Sequence, residues 1–168
     1  MIQQKVLWIA LAVTMSIALA AIAVSAADEE LAGTYRLISD TRKNLDTGEV
    51  SYNFGEHPVG YIMYGKEGRM LVIVLNGDRP KPAVNEKATP EQQAALLRSM
   101  LAYGGTYEFD GKKIQHHIDI SWNESWTGTT TVRNVRKEGD RLIYTTDPAP
   151  FSSDGTRSVT TLIWEKVK

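Results

Sequence analysis

The sixteen residues KIQHHIDISWNESWTG, positions 113–128, hold two adjacent histidines, an aspartate and two tryptophans. Imidazole beside carboxylate is the raw material of a metal site or a general base, and neighbouring indoles are that of a ligand-binding rim. Spacing narrows the choice. Alternation along a strand puts Ile114, His116, Ile118, Ile120 and Trp122 on one face, and Gln115, His117, Asp119 and Ser121 on the other. His116 therefore keeps apolar company and is predicted to face inward, whereas His117 shares a polar side with Asp119. Two residues apart on a strand, His117 and Asp119 have Cβ atoms about 6 to 7 Å from each other, a loose contact. The third histidine, His57, lies in the loop FGEHPVG, and no HExxH or comparable spacing occurs. The pair reads as a solvated structural feature, and neither a metal site nor a cofactor is predicted.

His116 has two readings: a core histidine with satisfied nitrogens, or an imidazole that orients a ligand together with Arg133 or Tyr144 from adjacent strands. Arg133 alternates with Thr129, Thr131 and Val135. Its guanidinium suits a ligand carboxylate or an internal acid such as Glu108; the internal pair is the preferred expectation, because an unpaired buried charge is costly. Trp122 and Trp126 bracket Asn123, Glu124 and Ser125, and either frame the rim of a cavity or pack a loop. Nucleophile-elbow, P-loop and dinucleotide fingerprints are all missing.

The elements that must hold these residues are mostly strands. GTYRLISDTRK, VGYIMYG, RMLVIVL, GTYEFDGKKIQHHIDISW, TGTTTVRNVRKEGDRLIYTTD and TRSVTTLIWEKV are β-rich runs separated by turn residues. GKEG at 65–68 is a hairpin signal, and Asp110–Gly111 and Gly139–Asp140 mark two more. About eight or nine strands are predicted. One segment departs from the pattern: TPEQQAALLRSMLAYGG has Thr89 as N-cap, Pro90 in the first turn and Glu91 behind it, with Ala94, Leu97 and Leu101 at helical spacing and Gly104 at its end. Sequential hairpins favour an all-β antiparallel barrel with one inserted helix over a two-sheet sandwich, and a barrel of this size either fills with side chains or holds one small ligand.

The first 27 residues stand apart. Lys5 is the only charge before Asp28, an apolar run follows it, and Val24 and Ala26 satisfy the small-x-small rule for cleavage after Ala26, with Ala27 nearly as good. Residues 1–27 are read as a signal peptide and 28–168 as one domain, periplasmic or secreted; an uncleaved anchor is the rival reading and the only predicted membrane contact. The 19 basic residues less Lys5, against 20 acidic ones, leave a net charge of −2 on the domain. That balance gives no electrostatic reason to expect a nucleic-acid partner. With no cysteine, the fold stands without disulfides and thiol chemistry is excluded.

LAGTYRLIS, FGEHPVGYIMYGKEGRMLVIV, YGGTYEFDGKKIQHHIDISWNESWTG, RKEGDRLIYTT and LIWEKV, in that order, resemble the lipocalin-like domain family of small bacterial and fungal proteins over residues 31–167. The resemblance implies a calycin-like β-barrel with a central cavity. It aligns Gly33 and Tyr35 with the Gly-x-Trp start of true lipocalins, tyrosine standing for the tryptophan that plugs the barrel floor, and leaves Trp164 or Arg36 to complete the plug. His116, His117, residues 126–128, Arg133 and residues 139–142 also match family positions. Two functions follow as expectations: a carrier of a small hydrophobic or amphipathic molecule, lined by Tyr61, Met63, Met70, Val72, His116, Trp122, Trp126, Arg133 and Tyr144, or a cavity enzyme of isomerase, cyclase or hydrolase type using His116 with Arg133 or Tyr144.

Overall fold

A computed structural model describes residues 30–83, 87–151 and 154–168. The predicted signal peptide lies outside the described residues. Ten strands follow in order: β1 (Gly33–Asn44), β2 (Val50–Tyr52), β3 (Val59–Tyr64), β4 (Arg69–Leu75), β5 (Met100–Phe109), β6 (Lys113–Ser121), β7 (Thr130–Glu138), β8 (Arg141–Thr145), β9 (Ala149–Pro150) and β10 (Arg157–Lys166). All pairings are antiparallel. Neighbours run β1-β3-β4-β5-β6-β7-β8-β10, and β10 pairs back onto β1, which closes eight strands into a barrel; β2 and β9 are short extensions. Closure satisfies the edge hydrogen bonds that an open sheet would present to solvent.

The hairpins form where turn residues permit them. Gly68 adopts φ +77° at the β3–β4 turn, in the left-handed region that glycine enters without strain. The helix α1 (Pro90–Arg98) starts on the predicted cap: Thr89 accepts from the Gln92 backbone N–H, and the Gln92 side chain accepts from the Thr89 N–H in return. It ends earlier than the sequence reading placed it. Met100–Gly104 belongs to β5, because these residues pair with Leu71–Leu75 of β4 and Leu101 turns into the barrel; strand pairing overrides the helical spacing of Leu97 and Leu101.

Two β-bulges set the faces. On β1, Leu37 opposes Trp164 and Ser39 opposes Ile163, so Ile38 is the extra residue. Between β5 and β6, Gly104 opposes Ile120 and Gly105 opposes Ile118, which leaves Asp119 extra. Gly105 is obligatory there: a Cβ would stand 1.9 Å from the His117 carbonyl oxygen.

The barrel axis is filled at one end. Leu31, Tyr35, Leu37, Ile62, Tyr64, Met70, Tyr107, Phe109, Ile114, Leu142 and Trp164 form a buried apolar layer below the mid-height residues. Tyr35 meets Tyr64 edge-on at 6.3 Å, and Tyr64 meets Tyr107 at 4.7 Å. Trp164, opposite Leu37 and Leu142, completes the plug, whereas Arg36 points outward to Glu165 at 3.3 Å.

Candidate functional site

Above that layer, polar side chains converge on the barrel axis. His116 of β6 is 2% exposed and bonded at both ring nitrogens: the Tyr64 hydroxyl lies 2.8 Å from Nε2 and the Tyr103 hydroxyl 2.9 Å from Nδ1. Tyr144 O–H donates to Tyr64 Oη at 3.1 Å. Taking the Tyr64 O–H as the donor to His116 Nε2 continues the chain that starts at Tyr144, and on that assignment the ring proton is on Nδ1 with Tyr103 Oη as its acceptor. Burial, helped by the charges of Arg133 and His117, pushes His116 down to about 3, so the ring is neutral at physiological pH. Burial also raises Tyr64, Tyr103 and Tyr144.

Arg133 of β7 faces the same space and is half-buried. Its Nη1 donates to the Val132 carbonyl at 2.9 Å, and among the described residues no carboxylate lies within ion-pair distance of it. The expected pair with Glu108 does not form: Glu108 stands on the outer face beside His117 at 3.6 Å. Outward alternation on β5 puts it there. The internal acid is instead Asp40 of β1, 3% exposed, whose Oδ1 accepts from Asn53 Nδ2 at 2.7 Å. Burial raises Asp40 to about 6, against the lowering influence of the Asn53 hydrogen bond and the Arg133 charge.

The inward faces divide into two kinds. Residues of the lower layer are closed off, whereas inward-facing Leu101, Thr131, Arg133, Val135, Thr160 and Leu162 keep partial exposure inside a closed wall. Open space therefore adjoins β7, β10 and the top of β5. The rim is strapped: Arg42 donates to both carboxylate oxygens of Asp154 at 2.8 and 3.0 Å and to Ser158 Oγ at 3.0 Å, and its guanidinium sits 4.1 Å from the Phe151 ring centroid.

Of the residues proposed from sequence, Met70, Val72, His116 and Tyr144 lie buried inside, and Arg133 faces the open part. Trp126 packs against the core 5.9 Å from Tyr103, and Trp122 meets Trp126 edge-on at 5.0 Å, so the two indoles seat the 3-10 turn Glu124–Trp126 at the β6–β7 end. Tyr61 and Met63 do not belong to the lining: they are 44% and 43% exposed on the outer face, with Ile62 and Tyr64 inside in their place. Met63 lines an open outer groove of about 350 Å³ with Gly33, Thr34, Glu67 and Arg69. Every residue of VGYIMY after the glycine is apolar or aromatic, so alternation carries no sign of which set turns inward. Ile120 is also outside, 60% exposed, because the bulge at Asp119 reverses the face. His117 bonds Thr130 and Asp119 bonds Arg69, so the two do not meet, and no group able to hold a metal occurs among the described residues.

Sequence reasoning missed Tyr64, Tyr103 and Asp40. Tyr103 was legible in principle, as the aromatic next to the glycines that face β6. Asp40 was hidden by the bulge at Ile38, which breaks the alternation of β1.

A family model described as a lipocalin-like domain matches residues 32–167. A 4'-hydroxy-3'-methoxypropiophenone carrier protein of Aspergillus oryzae is 32% identical over 88 residues, which cover 47% of this chain and 78% of that protein.

Proposed function

Since the chain belongs to the lipocalin-like domain family, we propose that it is a carrier that binds one small hydrophobic or amphipathic molecule in the upper part of its barrel. The observation that carries this reading is the contrast between a packed aromatic floor and a partly exposed inward wall on β7 and β10, with Arg133 facing it. A mostly apolar recess with few placed polar groups is what small-molecule sites are made of. The relative supports it, being named a carrier of an oxygenated aromatic ketone. The test is mass spectrometry of small molecules that copurify with the protein, followed by titration with 4'-hydroxy-3'-methoxypropiophenone as a first probe. No stoichiometric guest and no saturable binding of any apolar probe would overturn the reading.

An enzyme using His116 as proton carrier has less support. Both imidazole nitrogens are engaged by tyrosines, and a ring held at about 3 is too weak a base to accept a proton near neutral pH. Export after removal of residues 1–27 is the accompanying proposal for location; the intact mass of protein recovered from the periplasm or medium tests it, with an uncleaved amino terminus as the contrary result.

A further inference from the structure

We propose that the cavity selects an uncharged molecule bearing a carbonyl oxygen on an apolar body, received by Arg133 on the partly exposed face of β7 beside the Tyr103 hydroxyl, and discriminates against carboxylates. The inference rests on the carrier reading and adds the ligand's chemical class.

Counting protons gives the first reason. Tyr144, Tyr64, His116 and Tyr103 contribute four donors to a chain of three hydrogen bonds. With Tyr144 donating at one end, the unmatched proton is at Tyr103. There it meets no acceptor that improves the count: the adjacent Thr131 brings a hydroxyl of its own, and its buried Oγ1 makes no hydrogen bond of full geometry, although it stands close enough to influence the phenol. Arg133, two residues along the same face of β7, adds a guanidinium with one hydrogen bond accounted for out of five N–H groups. This end of the cavity is rich in donors and short of acceptors. An oxygen with two lone pairs fits it, and a pure hydrocarbon leaves it as it is.

Charge gives the second reason. Arg133 is not alone on the axis: its field reaches Asp40 across the barrel, and Asp40 is buried with a single side-chain partner, Asn53. The charges of Arg133 and Asp40 offset one another, as those of the rim pair Arg42 and Asp154 do, so the recess is neutral in sum. A carboxylate ligand would add a second negative charge to a site that already holds one in low dielectric, whereas a carbonyl takes the Arg133 and Tyr103 hydrogen bonds with no charge to bury. Leu101, Val135 and Leu162 supply the apolar wall for the rest of the molecule.

Three near-isosteric probes separate the possibilities: 2-acetonaphthone, 2-ethylnaphthalene and 2-naphthoate, measured against the whole mature chain by equilibrium dialysis at pH 7.5. The ketone is expected to bind about tenfold more tightly than either of the others, the size of one hydrogen bond to a charged group. Arg133→Met should bring the ketone to the level of the hydrocarbon and leave the hydrocarbon unchanged. Asp40→Asn should raise 2-naphthoate affinity about tenfold with little effect on the ketone. Equal binding of ketone and hydrocarbon, or tighter binding of the carboxylate by the unmodified protein, overturns this inference and leaves the carrier reading standing. Retention of none of the three overturns this inference, and the carrier reading falls with it only if no copurifying guest and no other apolar probe binds either. The comparison within the unmodified protein decides the matter even where a variant folds poorly.

Discussion

Replacing Asp40 by asparagine tests the polar axis of the barrel most directly. Asp40 titrates at about 6 in the folded protein against an ordinary 3.8, chiefly because burial disfavours its charge. The native state therefore holds the proton more tightly than the unfolded chain, and stability falls as pH rises from about 4 to above 6. That gap of about two pH units, at 1.36 kcal/mol for each, corresponds to about 3 kcal/mol of destabilisation that is complete above pH 6 and relieved below pH 4. The figure already contains the favourable influence of Arg133 and Asn53, which lower the value from where burial alone would put it. Asparagine keeps the shape and an acceptor oxygen for Asn53 but never ionises. The variant should thus gain about 2 to 3 kcal/mol relative to the parent at pH 8 over the difference seen at pH 4, where the parent carboxyl is neutral too. Urea unfolding of both proteins at half-unit steps from pH 4 to 8, followed by tryptophan fluorescence, gives the difference curve. His116 contributes a slope of opposite sign, because its folded value of about 3 lies below its ordinary 6.5 and its share of stability is lost as pH falls between them. That slope is common to both proteins and cancels in the difference. A curve that is flat with pH, or an asparagine variant that is weaker at pH 8 than at pH 4, would refute the reasoning.

Three further outcomes follow from the same geometry. Arg133→Met should move the Asp40 titration above 6, since the guanidinium holds it down; carbon-13 NMR of the Asp40 carboxyl reads this, and an unchanged midpoint would place the arginine elsewhere. His116→Phe removes both imidazole hydrogen bonds and strands two buried phenols, which should destabilise the protein by about 2 to 4 kcal/mol, while nitrogen-15 NMR of the parent should show a neutral Nδ1-protonated ring that does not titrate between pH 8 and 5. Gly105→Ala drives a methyl into the His117 carbonyl and should cost about 3 kcal/mol or prevent folding, as judged by denaturation, whereas alanine at Gly105 with parental stability would mean that the bulge is misplaced.

The particular residues show where sequence suffices and where it stops. Period-two runs between turn residues identified the closed antiparallel barrel and the inserted helix, and the apolar neighbours of His116 put it inside. These are local properties: alternation, caps and turn chemistry act within a few residues, and Thr89, Pro90 and the 65–68 turn carry their instructions with them. The orientation of Tyr61 and Met63 was beyond that reach, because both faces of β3 are apolar and only its partners choose between them. So was the identity of the acid that answers Arg133. Sequence pointed to Glu108, and strict alternation kept Asp40 off the inward face of β1; pairing across β5 and β6 turns the first outward, and the single-residue bulge at Ile38 brings the second inside. The tyrosine pair on His116 likewise exists only after β3, β5 and β6 have met, since Tyr64 stands 52 residues from it in the chain. Sequence by itself determined which elements form and that they roll into a barrel; which side chains share its axis was decided by register and by two bulges, because one residue of slip in a strand exchanges inside for outside.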